Sequence, residues 1–295
     1  MKITPLPEAQ PKPGRKVAIG TFDGVHLGHR EVIRDNDTVL TFEPHPLAVV
    51  RPDALPKLLC PPGVKADLIA GLGVDELVTI PFDRDFASKT PEQFVQEVLV
   101  DRLGAERVSV GENFRFGQKQ KGDADFLRSR PEFETRVLPL VEVDGEIVSS
   151  SHIRGLVAAG EVDKAAHFLG GPFLFEGVVV EGDRRGRELG MPTANIVPDD
   201  RFATPGHGVY AAWAHGYPAA VNVGVRPTFD TGRGLLVETH LLDFDGDLYG
   251  QTLRVAFLER MRGEKRFDSA DDLVAQMRLD VAGARAIASA TVPRR

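Results

Sequence analysis

The pattern of the chain changes near residue 170, and that change does most to limit the folds open to it. Up to that point short apolar runs alternate with helical stretches, and residues 17–20, 39–42, 76–82, 107–111 and 136–143 read as strands. The clearest helix among them covers 90–103, where Thr90 caps, Pro91 suits the first helical position and Gln93 completes a capping box. Phe94, Val95, Val98, Leu99 and Leu103 make its apolar stripe, and Gly104 stops it. Strand and helix in alternation predict a parallel sheet with helices on its faces. Residues 151–159 and 162–169 follow as two helices, broken at Gly160 and closed by Gly170-Gly171. Beyond 171, residues 173–181, 208–213, 219–223, 235–243 and 251–258 are short strands between Gly/Pro/Asp turns. That is the pattern of an antiparallel sandwich or small barrel. Residues 269–288 read as one last helix, capped by Ser269 or Asp268, with Leu273, Met277, Val281 and Ala284 on one stripe. The expectation is an α/β domain over 1–169 and a small antiparallel β domain with a C-terminal helix over 170–295.

Composition agrees and narrows the function classes. A chain of 295 residues holds about two domains at roughly 150 residues each. Hydrophobic residues at 42% and charged residues at 27% exclude wholesale disorder. The 36 Lys+Arg against 43 Asp+Glu leave a net charge of −7, which suits neither general nucleic-acid binding nor an anionic membrane surface. Cys60 is the single cysteine and cannot form an intrachain disulfide, which fits a reducing cytoplasm. Residues 1–14 are polar and Pro-rich, without the apolar core of a signal peptide. The longest stretch lacking charged side chains, 202–225, holds Pro205, His207, His215, Pro218 and Asn222, which spell turns and strands rather than a membrane helix. The expectation is a soluble cytoplasmic protein.

The most specific segment is VAIGTFDGVHLGHR, residues 17–30. It reads as a strand, a glycine-punctuated turn around Phe22, and a helix start. Gly20, Gly24 and Gly28 let the backbone approach a ligand closely, and amides at a helix start attract phosphate. His26 and His29 flank Gly28 and can both face an anion, where imidazole donors stabilise charge developing on a reacting phosphate. The bland alternative is two ordinary loop histidines. In the second half, Gly182-Asp183-Arg184-Arg185-Gly186-Arg187 makes a loop able to cover a polyphosphate, or merely a solvated basic turn. Thr193 and Asn195 stand two apart, so in extended chain they share a face and offer hard oxygen ligands to Mg²⁺, unless they only cap the turn after Pro192. Glu238 interrupts the apolar run 235–242 beside Thr239 and His240. It is either a base for an acceptor hydroxyl or the solvent side of an alternating strand.

The words GTFDGVHLGH, TFEPHP (41–46), VGENFRFG (110–117) and SSSHIR (149–154) together resemble the adenylyltransferase module of bacterial bifunctional riboflavin kinase/FMN adenylyltransferase. GVVVEGDRRGRELGMPTANI, VNVGVRPTF (221–229), VETHLLDFDGDLYG (237–250) and the closing helix resemble its riboflavin kinase module, in order and spacing. The resemblance runs from about residue 17 to 285. It implies a Rossmann-like nucleotidyltransferase domain followed by a barrel. It also implies riboflavin + ATP → FMN + ADP, then FMN + ATP → FAD + pyrophosphate, with Mg²⁺ accompanying ATP in both. Carried over residue by residue, His26 and His29 would contact the ATP phosphates, Asn113 would place the reacting phosphates, and Ser150 and Arg154 would bind nucleotide phosphates. A guanidinium suits that task because it forks to two oxygens, although Arg154 could also be a solvated helix cap. Thr193 and Asn195 would be the Mg-ATP residues of the kinase, Gly182 and Arg187 its phosphate loop, and Glu238 the catalytic base. Phe42, Phe114 and Phe116 would lie toward flavin, or simply pack in the core. Partners implied are riboflavin, FMN, FAD, ATP, ADP and pyrophosphate, for a monomer or weak oligomer that binds neither nucleic acid nor membrane. Two departures stand out. Met191 replaces a common Phe, and only residues 30–40 separate His29 from Thr41, where relatives carry a multi-turn helix and a loop. With 30–37 left to return along the sheet, against about ten to twelve residues for a parallel crossover, a stunted helix is expected. From that follows slower adenylyl transfer, so that FMN would accumulate before FAD. Alternatives are a kinase with weakened or lost adenylyl transfer that acts partly as a flavin-binding regulator, or a nucleotidyltransferase fused to a nucleic-acid-binding barrel. The acidic charge, one Trp and three Tyr speak against the last.

Overall fold

A computed structural model describes residues 1–182, 190–225 and 234–291. Arg187, the rest of 183–189 and the RPTF part of the 221–229 motif lie outside the described residues. Residues Met1–Pro56 with Pro62–Ser149 form one compact unit, and Lys57–Pro61 with Ser150–Arg295 form the other.

The first unit is built on six strands, β1 (Lys2–Pro5), β2 (Arg15–Ile19), β3 (Thr38–Glu43), β4 (Glu76–Pro81), β5 (Ala105–Gly111) and, after a small hairpin of β6 (Arg115–Phe116) and β7 (Gly122–Asp123), β8 (Glu134–Leu138). Their order is β1-β4-β3-β2-β5-β8, and every neighbouring pair is parallel. The chain leaves β2 toward β3 on one side and leaves β5 toward β8 on the other. The β2/β5 pair is therefore the topological switch point, whose crevice at the carboxyl ends is where such sheets bind ligands. The core clusters around Val17, Ile19, Leu40, Val78, Val108 and Val110, with Phe94, Val98, Leu99 and Leu103 covering one face.

Several details differ from the sequence reading. Residues 2–5 form an edge strand because Ile3 and Thr4 pair with Leu77 and Val78 of β4, and four residues are too few to show a period. The strand expected over 136–143 ends at Leu138. Glu142–Val143 (β9) instead pairs with Glu146–Ile147 (β10) in a separate hairpin. The capping box at Thr90 and Gln93 is present, but the helix then winds more loosely over Phe94–Arg102, with Leu103 N–H bonding five residues back to Val98 O at 3.1 Å.

The helix after the first histidine is short, Leu27–Ile33, as the length of the segment demands. The crossover is not too short, because it runs from Gly20 to Asp37 and its helix already begins within HLGH, with His26 as cap and Leu27, Gly28 and His29 in the first turn. The geometric ground for a crippled first site therefore falls away. Its end is tied down by buried Asn36, whose Nδ2 donates to Val32 O, Ile33 O and Arg34 O at 2.9, 3.2 and 3.1 Å. Ser109 Oγ on β5 donates to Asn36 Oδ1 at 3.1 Å.

The second unit is a closed barrel of β11 (Phe173–Val180), β12 (Ala194–Ile196), β13 (Gly208–Ala214), β14 (Tyr217–Val225), β15 (Leu235–Leu241) and β16 (Thr252–Arg262). They close in the order β11-β12-β15-β14-β13-β16, antiparallel throughout. The three-residue β12 was not legible as a strand, and β16 continues past residue 258 to pair with β13. The final helix, Ala270–Ala290, is capped by Ser269 and packs on β13, β14 and β16. Its Asp280 is buried and holds Arg262 of β16 through both carboxylate oxygens, a polar residue on a face read as apolar. Helices Ser150–Ala159 and Val162–Leu169 fall with the barrel unit, whereas the change of sequence pattern lies near residues 169–172. The second of them packs on β11 and β16. Gly160 between them has φ +81°, and a Cβ there would sit 2.6 Å from the Tyr210 hydroxyl.

Candidate active sites

Three of the motifs singled out in the first half leave the sheet at the same end. The GTFDGVHLGH turn follows β2, TFEPHP spans the end of β3, and VGENFRFG follows β5, with β2 lying between β3 and β5. The turn after β2 is held in a backbone that few side chains adopt, with φ of +50° at Phe22, +84° at Gly24 and +43° at Val25. Strain of this kind collects at functional sites. The Phe22 ring is buried beneath Gly20, where a Cβ would lie 2.9 Å from it.

His26 is 6% exposed and caps the helix Leu27–Ile33, its Nδ1 accepting the His29 N–H at 3.3 Å. An accepting Nδ1 leaves Nε2 to carry the proton of the neutral ring. The two imidazoles stack, with centroids 3.5 Å apart and planes 16° from parallel. Gly28 lies close against the stack, and a Cβ there would meet His26 Cε1 at a tight 3.3 Å. His29 also meets the Phe22 ring edge-on at 5.4 Å, and its Nδ1 is sealed without a hydrogen-bond partner among the described residues. Burial, then repulsion from His26 and from Lys65, holds the His29 pKa well below its ordinary value, so the ring is neutral near pH 7. Lys65, on the helix Pro62–Ala70, donates to Thr21 O at 3.4 Å and places a cation beside this turn. Sequence reading missed it, because the helix is far along the chain and a lone lysine carries no signal.

Asn113 sits exposed in the turn after β5, where Phe114 N–H bonds Gly111 O at 3.0 Å. Phe42 and Phe116 are core residues, Phe42 edge-on to Phe82 at 5.7 Å and Phe116 against Phe94 at 5.2 Å. Phe114 stacks on Phe116 at 5.5 Å and is only partly buried. Ser150 and Arg154 lie on the helix Ser150–Ala159, in the barrel unit, where Arg154 Nη1 donates to Ser151 Oγ at 3.2 Å.

In the barrel one register position collects the chemistry. Asn195 of β12 pairs with Glu238 of β15, and Glu238 pairs with Asn222 of β14. Residues directly opposite share a face of the sheet, so the three side chains form a row across three strands. Asn222 Nδ2 donates to Glu238 Oε2 at 3.1 Å, which orients the carboxylate. Sequence reading missed Asn222, since its partner is 16 residues away. Asn195 is 4% exposed, and its Oδ1 has no hydrogen-bond partner among the described residues. A buried carboxamide oxygen in that state is costly unless a cation or donor meets it. The backbone of Gly182 packs directly on the Asn195 carboxamide, leaving no room for a Cβ. Thr193 precedes β12 and is partly buried. Among the described residues no helix is long and apolar enough to cross a membrane.

Both halves of the chain are similar to known proteins. An FAD synthetase family model matches residues 8–152, and a riboflavin kinase family model matches residues 169–288. A bifunctional riboflavin kinase/FMN adenylyltransferase of Pseudomonas fluorescens is 37% identical over 95% of both chains. One of Bacillus subtilis is 34% identical over 90% of this chain and 89% of its own. A solved structure described as a macrolide-efflux protein of Streptococcus pneumoniae shares the fold at a TM-score of 0.85 and 32% identity, covering 97% of this chain and 99% of that one. With both modules matched, and relatives alike along almost the whole length, the chain belongs to the bifunctional riboflavin kinase/FMN adenylyltransferase family.

Proposed function

We propose that this chain makes FAD in two steps, phosphorylating riboflavin in the barrel and transferring an adenylyl group to FMN on the α/β sheet. We assign the first activity to residues 170–295 and the second to residues 1–169. The observation that carries the reading is the row Asn195–Glu238–Asn222, which sets a bare carboxamide oxygen and an oriented carboxylate at one level of the barrel. In the kinase step Glu238 accepts the proton of the riboflavin hydroxyl as that oxygen attacks the γ-phosphorus of ATP and ADP departs. Asn222 keeps the carboxylate turned toward that task. Thr193 and Asn195 fit a Mg²⁺ ion, through a hydroxyl and the unpartnered Oδ1. When bound, Mg²⁺ neutralises phosphate charge on the nucleotide. Gly182 and Arg187 contribute the phosphate loop.

In the adenylyl step an FMN phosphate oxygen attacks the α-phosphorus of ATP and pyrophosphate leaves. His26 and His29 donate to phosphate oxygens, His29 from a neutral ring, stabilising the charge that passes to pyrophosphate. The backbone at Gly20, Phe22, Gly24 and Gly28 shapes the turn that admits the phosphates. Asn113, Ser150 and Arg154 bind the nucleotide phosphates, and Phe114, stacked on Phe116 over the core cluster that includes Phe42, offers an aromatic surface to the flavin. The test is a chromatogram of riboflavin incubated with Mg-ATP and the purified protein. FMN and then FAD are expected. Recovery of unreacted riboflavin from folded protein would overturn the proposal.

A further inference from the structure

The ladder between β12 and β15 ends at Ala194↔Thr239, and continuing it one step would set Thr193 opposite His240. No ladder bond can follow at Pro192, which has no N–H to give. Among the described residues, the chain just ahead of the pair Thr193 and Asn195 is tied to the barrel by one side-chain hydrogen bond. His240 Nδ1 lies 2.7 Å from Pro192 O. A carbonyl only accepts, so the ring donates from Nδ1. This bond is the backbone's missing rung supplied by a side chain. In an extended strand Glu238 and His240 face the same way, so the bond closes on the side of the sheet that carries the base.

We propose that His240 is a positioning residue of the kinase step, which clasps Pro192 and so holds Thr193 at the place where Mg-ATP is bound. The inference rests on the assignment of Thr193 and Asn195 to Mg-ATP. His240 touches no reacting atom, and its work is to spare the nucleotide the ordering of the segment 190–193. Without the clasp that ordering must occur on binding, which weakens affinity for Mg-ATP while leaving the step after binding intact. Imidazole is not essential for this. An asparagine carries its Nδ2 on Cγ, where histidine carries Nδ1, and can make the same bond.

The experiment compares the full-length protein with its His240→Ala, His240→Asn and Thr193→Ala variants, measuring riboflavin phosphorylation against Mg-ATP and against riboflavin. Each variant's fold is checked by circular dichroism and by its adenylyl transfer from FMN. Expected for His240→Ala is a rise of about fivefold in KM for Mg-ATP, the size of one lost hydrogen bond, with kcat and KM for riboflavin near the parent. His240→Asn should restore KM to within about twofold of the parent. Parent-like KM in His240→Ala, with Thr193→Ala impaired, overturns the clasp and leaves the Thr193 assignment standing. Equal loss in His240→Ala and His240→Asn also overturns it, because the donor would then not be what matters. Parent-like KM in Thr193→Ala overturns the assignment of Thr193 itself, and the clasp with it.

Discussion

Glu238 is partly buried and is paired with asparagines on both sides, Asn195 by register and Asn222 by a 3.1 Å hydrogen bond. A glutamine there keeps the shape and an oxygen for Asn222 but cannot take a proton. Glu238→Gln should therefore lower the rate of FMN formation by about a hundredfold or more, with FAD formation from added FMN near the parent rate. Separate assays of the two steps check this, and parent-rate phosphorylation would remove Glu238 from the role of base. His29 gives a pH prediction. Its pKa is low in the folded protein and about 6.5 when unfolded. Between those values the unfolded chain binds more protons, so stability rises with pH there and is lost as pH falls below about 6.5. His29→Gln removes this titration. Urea unfolding at about pH 7.5 and about pH 5.5 should show a smaller acid loss in His29→Gln than in the parent. An equal loss in both would place the acid sensitivity elsewhere.

At the scale of elements, the short helix Leu27–Ile33 matters because it carries His29 and is capped by His26, the two histidines of the first site. Seven residues form less than two full turns, and such a helix depends on its ends. His26 serves one end, and Asn36 serves the other by turning the two N–H of its Nδ2 toward the carbonyls of Val32, Ile33 and Arg34 and tying them to Ser109 of β5. Asn36→Ala would take the Nδ2 donor from Val32 O and the acceptor from Ser109 Oγ, while Ile33 O keeps the residue-36 N–H and Arg34 O keeps Arg136 Nη1. We expect a loss of roughly 2 kcal/mol in urea unfolding. FAD formation should fall with it while riboflavin phosphorylation persists, because the kinase row lies in the other unit. A change under about 0.5 kcal/mol would show that water replaces the carboxamide at no cost. The shortness of this helix was legible from the spacing of His29 and Thr41. Its buried plug was not, since a single Asn between two Asp residues reads as an ordinary turn and only the packing of β5 shows it buried.

For the whole molecule, the boundary between compact units falls before Ser150, because the helix Val162–Leu169 packs on β11 and β16 and Gly160 lies against Tyr210. A fragment of residues 150–295 should fold and make FMN without FAD, while one of residues 172–295 should melt at least several degrees lower. Thermal melts and the two assays decide this, and equal melting of the two fragments would show the helices to be passengers. The sequence by itself determined what is encoded within a few residues. That includes the parallel α/β half and the antiparallel half, the capping box at Thr90, the breaks at Gly160 and Gly170, and the HLGH, PTAN and ETH motifs. These are set by periodicity, caps and backbone preferences, which neighbours along the chain impose. Tertiary structure alone decided which strands adjoin and at what register. That is why the edge strand 2–5, the three-residue β12, the Asn222–Glu238 and His240–Pro192 bonds and the buried Asp280–Arg262 pair were out of reach. Each joins residues distant in sequence, and their meeting is fixed by closure of the sheet and the barrel, which no local preference encodes.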